Sequence, residues 1–332
     1  MPSTPTAEET ASRRGRRWKL VARLVISGAL VAVLVSKIHL DKVFPRQHPL
    51  ATLAWFTGGV MVAALGIVLS AWRWQRVLAV FDAPVPLRTL TSHYFAGQFV
   101  GNVLPSTIGG DVLRVSRASR SVGSGPVAFA SVALERLTGF LVLPLICYLG
   151  FLLDPSLLSE RRAWIALVIS SVTLVALVAI LVAAGAPKAA GRFTEHENWM
   201  RFIGAVHVGV DRLRRRRRAA LDVVGATFVY QASTVLMVWF AVRTLGVSIP
   251  TAAVIAYAPA VAMAQVVPVS VGGFGVREGM LVLLLGPLGV PSGKAFGIGV
   301  AWYAMVLIAS LLGAPAFALG YEQPAPHRPP AR

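Results

Sequence analysis

The chain has 332 residues, 56% of them hydrophobic and 14% charged, with a formal net charge of +18 and a mean hydropathy of +0.68. A water-soluble core cannot absorb that much apolar surface, and several runs exceed the roughly 18 apolar residues that carry a helix across lipid. The basic surplus lies between those runs rather than on a separate module, which is the positive-inside pattern; it argues against nucleic acid and for anionic lipid headgroups as partners.

The fold class expected is all-α, a polytopic membrane helical bundle. Residues 1–17 read as a disordered basic cytoplasmic tail. The first apolar run, Leu20 to Ser36, follows Arg13, Arg14, Arg16, Arg17 and Lys19 like the h-region of a signal peptide, but no small-residue cleavage site comes after it, so it reads as an uncleaved span. Further full crossings are expected at Leu50 to Ala71, Val127 to Leu153, Ala163 to Ala186, Val223 to Val242 and Ala295 to Tyr321, about six in all. One transmembrane domain, residues 18–321, thus occupies most of the chain, and residues 322–332 form a Pro-rich tail.

Charge bias orients these spans. The N-terminal cluster, Arg73, Arg76 and Arg88, Arg114, Arg117 and Arg120, and the basic loop from Lys188 through Arg218 all fall on one face, read as cytoplasmic. The chain is then a multi-pass protein of the cell membrane with both termini inside. Trp18, Trp55, Trp72 and Trp74 read as interface anchors. The single cysteine, Cys147, sits in an apolar run, so the chain holds no disulfide framework or CxxC site.

Two apolar stretches, Thr89 to Gly110 and Thr244 to Val276, are broken by proline and paired glycines. A broken backbone facing lipid would leave bare N–H and C=O groups, so such breaks belong inside protein or beside a wet cavity. Both read as re-entrant hairpins. Their breaks share a spacing: Pro105 and Pro268 are each followed by glycines at +4 and +5 and by arginine at +9, with Ser106 and Ser270 in between. The flanking spans run in opposite directions, so two inverted repeats, about 50–153 and 221–321, each carry one hairpin. Gly/Pro-interrupted segments at matching positions of two halves mark a transporter's midplane site.

The residues at the breaks suit an anion. Gly109 and Gly110, and Gly272 and Gly273, let backbone N–H groups approach a ligand, and a helix starting there points its positive end at it. Arg114 and Arg277 add guanidinium forks for a phosphate. Gln98 and Asn102 precede the first proline, where their amides can bond the broken backbone or a headgroup. Asp111, Glu135 and Glu278 are acids in or near apolar segments, fitting either structural ion pairs or headgroup and proton handling. Glu135 is expected to pair across helices rather than with its neighbour Arg136, because adjacent helical residues point apart. No nucleophile elbow, P-loop or metal-ligand spacing is present, so the chain reads as a non-enzyme without cofactor or metal.

The segments Gly97-Gln-Phe-Val-Gly-Asn102, Pro105 to Arg114, Ala133-Leu-Glu-Arg-Leu137 and Val271 to Gly279, taken in order, resemble the lysylphosphatidylglycerol synthase transmembrane family of flippase-like proteins. The resemblance implies a domain that moves lipids with modified headgroups between leaflets, in some members fused to an aminoacyl-transferase. Only residues 322–332 follow Tyr321, so no transferase is expected here. The function expected is a lipid translocator for a phosphate-containing lipid, aminoacylated or glycosylated ones included. The alternative is a membrane-embedded enzyme or accessory subunit of lipid-linked sugar or envelope lipid synthesis, and enzymes of those pathways are the expected protein partners.

Overall fold

A computed structural model describes residues 49–103, 109–184, 200–265 and 275–318. The expected first span therefore lies outside the described residues, as do both tails and, among the expected site residues, Ser106, Ser270, Gly272 and Gly273. The described residues form α1 (Pro49–Val80), α2 (Leu87–Val103), α3 (Gly109–Val122), α4 (Gly125–Leu153), α5 (Ala163–Ala184), α6 (Met200–Arg215), α7 (Arg217–Thr244), α8 (Thr251–Ala264), α9 (Val276–Leu285), α10 (Ser292–Leu311) and α11 (Gly313–Ala318). Among them α1, α4, α5, α7 and α10 are long and apolar enough to cross a membrane, so the protein is a polytopic helical membrane bundle.

Each half has the same order: a span, a broken helix pair, a span. In the first half α1 leads into the α2/α3 pair and then α4; in the second α7 leads into α8/α9 and then α10. The first pair is closed by glycine. A Cβ on Gly110 would run into the carbonyl oxygen of Gly97 and stand 3.2 Å from the Cα of Gly101, so α2 and α3 touch backbone to backbone. The pairs open at opposite ends of α4. The first joins the start of α4 through Gly123, whose φ is +75°, and Ser124, which caps the helix by accepting from Val127 N. The second meets the other end, where a Cβ on Gly150 would collide with the backbone of Ala256 and the Phe151 and Tyr257 rings lie 6.0 Å apart. The two helix pairs thus meet α4 at its opposite ends.

Several features differ from expectation. The first described span does not stop at Ala71 but continues to Val80, so Arg73 and Trp74 lie inside a helix. The last expected span breaks at Leu312, and α11 turns back onto the first hairpin, with Phe317 5.9 Å from Phe99 and its carbonyls at Ala316 and Phe317 accepting from Arg117 at 3.0 and 3.4 Å. The basic loop holds an amphipathic helix, α6, whose Val206, Val210 and Leu213 join a small core with Val77, Val80, Leu134 and Val223. Arg212 and Arg216 pin this helix to the end of α1 through Asp82, at 2.8 and 3.1 Å. The hydrogen bond from Arg216, with the charge of both arginines, holds the Asp82 carboxyl below its usual range.

Candidate functional site

The site begins with a small-residue stripe on α1. Ala63, Gly66, Ile67, Ser70 and Arg73 recur at helical spacing and face a cavity of about 290 Å³ shared with α2, α4, α7, α8 and α10. Arg73, Tyr94, Gln98, Glu135, Arg136 and Gln231 make one wall polar, whereas Phe140, Leu143, Met237 and Val306 leave the other apolar. A lipid headgroup with the first part of its chain has that polarity.

Glu135 is the centre of the polar wall. It is fully buried, and its Oε1 accepts from Arg73 Nη2 and from the Tyr94 hydroxyl at 2.9 Å, while Oε2 accepts from Arg114 Nη2. Arg114 also donates to Asp111 at 3.2 Å, and Arg136 holds the same carboxylate by two bonds of 3.0 Å. Rings orient the cations: Arg114 lies 4.3 Å from the Trp74 centroid and 3.9 Å from that of Tyr94, and Arg73 lies 4.5 Å from Tyr230. Gly139 leaves room for Arg73, since a Cβ there would stand 3.1 Å from Nη1. Gln231 secures α7 to α4 by donating to the Gly139 carbonyl at 3.3 Å.

The charges do not cancel. Three guanidiniums, on Arg73, Arg114 and Arg136, face two carboxylates, on Asp111 and Glu135. One positive charge is left over beside the cavity. The Nε atoms of Arg73 and Arg114 are buried with no hydrogen-bond partner among the described residues.

A model of the lysylphosphatidylglycerol synthase TM region matches residues 20–314. The chain belongs to this family. It is a membrane protein of lipid handling. Searches of curated proteins and of solved structures gave no match.

In this family member the first-half residues singled out by sequence come together. Gln98, Glu135 and Arg136 line the cavity, and Asp111 and Arg114 complete the ion-pair network behind them. Glu135 pairs across helices, as its place beside Arg136 suggested. Gly109 opens α3, and Gly110 serves the hairpin contact. Asn102 accepts from the Tyr303 hydroxyl at 3.5 Å through its carbonyl, and its buried Nδ2 has no partner among the described residues.

The second-half pair forms a separate cluster. Arg277 donates to its neighbour Glu278 at 3.0 and 2.7 Å, which the first turn of a helix permits when both side chains bend back toward the N-terminus. Glu278 also accepts from Gly275 N at 2.6 Å, and Gly275 takes φ +87°, a conformation open to glycine and closed to most other residues. Arg277 lies 4.9 Å from the Tyr303 ring and 5.9 Å from that of Trp302, and Trp302 lines the cavity. The arginines at +9 in both halves therefore sit between a Trp, a Tyr and an acid. Only the first half places its acid at the cavity wall.

Sequence reasoning missed Arg73, Tyr94 and Gln231, and it placed Trp74 at the interface, whereas Trp74 is fully buried and donates to Ser131 Oγ at 3.0 Å. The stripe ending in Ser70 and Arg73 was the available signal for Arg73. Among the described residues no three His, Cys, Asp or Glu side chains converge to hold a metal ion.

Proposed function

We propose that the protein is a lipid translocator that takes a phosphate-containing headgroup into the central cavity and passes it between leaflets. The observation that carries this reading is the surplus guanidinium in the wall of a half-polar, half-apolar cavity. A phosphate supplies the missing charge beside Arg73 and Arg136, while the lipid chain lies against the apolar wall. Hairpins opening at opposite ends of α4 give the cavity two faces that exchange by rocking one half against the other. No nucleotide motif accompanies the site, so a gradient or mass action drives the step.

The test is reconstitution of the purified protein in vesicles holding a fluorescent or radiolabelled anionic phospholipid. Protein-dependent loss of leaflet asymmetry without a change in lipid mass is expected. A changed mass would instead make the protein an enzyme, and intact asymmetry across a panel of phospholipids and lipid-linked sugars would make it a scaffold.

The orientation proposed is a cell-membrane protein with both termini in the cytoplasm; what supports it is the concentration of arginine in α3, α6 and the start of α7, between the long apolar helices. Cysteines at the exposed positions Arg88 and Arg217 should label with an impermeant maleimide from the cytoplasm only, and one at Ser248 from outside only. The native Cys147 is buried and stays silent. Labelling of Arg217→Cys from outside would reverse the whole arrangement.

A further inference from the structure

A second concavity lies away from the central cavity, on the outer side of α4. It is a groove of about 330 Å³ between α4, α5, α6 and α7, lined by Leu134, Thr138, Leu141, Val178, Leu181 and Val223, with Arg214 at its rim. Its wall is almost wholly aliphatic. Its basic edge is the reverse: Arg214 lines the groove and opens a run of five consecutive arginines, Arg214 to Arg218, all exposed. Asp82 takes Arg216, together with Arg212, and Asp211 takes Arg215. Arg217 and Arg218 have no ion pair among the described residues.

We infer that this groove is a docking site for one anionic membrane phospholipid, separate from the translocated one: an acyl chain lies between α4, α5 and α7, and the phosphate meets the exposed arginine run that Arg214 brings to the groove. The occupant follows from charge complementarity. An aliphatic slot ending in clustered cations matches a molecule with a long chain on one anionic head, and basic residues at the end of an amphipathic helix are drawn to anionic headgroups. Such a lipid also touches the working part of the protein. Leu134, Thr138 and Leu141 face the groove from the same turns of α4 that present Glu135, Arg136 and Phe140 to the central cavity. Gly209 seats α6 closely, since a Cβ there would stand 3.3 Å from Leu134 Cδ2. Filling the groove therefore clamps α6 to α4 and sets the position of the helix that carries Glu135. The site is regulatory in kind.

The experiment is thermal melting of the detergent-purified protein titrated with phosphatidylglycerol, phosphatidylcholine or inorganic phosphate. Phosphatidylglycerol should raise Tm saturably, the other two should not, and added salt should weaken the effect. Arg217→Gln with Arg218→Gln should weaken apparent binding roughly thirtyfold. Val178→Trp, at a position 46% exposed where folding tolerates bulk, should fill the slot and remove the shift. Arg73→Gln in the central cavity should keep the shift while losing transport, so the two sites fail independently. An equal shift with phosphatidylcholine, or one with inorganic phosphate alone, would overturn the inference, as would undiminished binding in both rim and groove variants.

Discussion

Replacing Glu135 with alanine should destabilise the protein by about 3–5 kcal/mol, the cost of stripping the counter-charge from buried ions. Its carboxylate holds Arg73 and Arg114 together, both nearly inaccessible to solvent, and Tyr94 loses its acceptor as well. Native stabilities are only about 5–15 kcal/mol, so a large share of the margin disappears. Denaturant or thermal unfolding in detergent measures it. Combining Glu135→Ala with Arg73→Met and Arg114→Met should recover much of the loss, because no uncompensated charge then remains. A single-variant loss under about 1 kcal/mol would mean that water already screens the network, and the cavity wall would have to be redrawn as an ordinary wet surface.

Arg73→Ala should separate stability from function in the opposite way. Glu135 keeps Arg114 and Tyr94 as partners, so the fold should lose less than in Glu135→Ala. The cavity, however, loses its surplus charge and the donor that lines it. Affinity for an anionic headgroup should fall by about 2–5 kcal/mol if the contact is desolvated, and the protein-dependent loss of leaflet asymmetry should stop. Arg73→Lys keeps the charge but loses the planar fork on the Tyr230 face, so it should recover part of the binding. Unchanged lipid affinity in Arg73→Ala, with a normal melting temperature, would place the headgroup elsewhere.

The two helix pairs were legible in the sequence because backbone chemistry leaves few options for proline and paired glycines inside an apolar run; Pro105, Pro268, Gly272 and Gly273 themselves lie outside the described residues, and α2 and α3, α8 and α9 are the limbs on either side. The acids and the +9 arginines stood out in the sequence because an ionisable group in such a segment needs a partner, and Asp111, Glu135 and Glu278 are each ion-paired. What the sequence did not contain was the crossing of helices. Nothing local links Arg73 to Glu135 or Arg114 to Glu135, 62 and 21 residues apart, and charge counting assigned Arg73 to a loop because it marked where the apolar run ended. The same counting hid α6: its arginines dominate the composition, while Val206, Val210 and Leu213 show their shared face only at helical spacing.

The outermost helix has a role that packing alone does not reveal. Only 17% of the apolar window of α5 is buried, less than in any other candidate span among the described residues, and its contacts add little to the cavity. Its contribution is parity. Within the first half, α1 crosses, the hairpin returns to its own side and α4 crosses back, so the chain leaves that half on the face where α1 began. A second half built to the same plan would then point the same way as the first. One additional crossing turns it over, and α5 supplies that crossing between α4 and α7. On the topology proposed here, deleting it, or doubling it, would set the two halves parallel, with two hairpins entering from one face and no opposed pair of openings for the cavity.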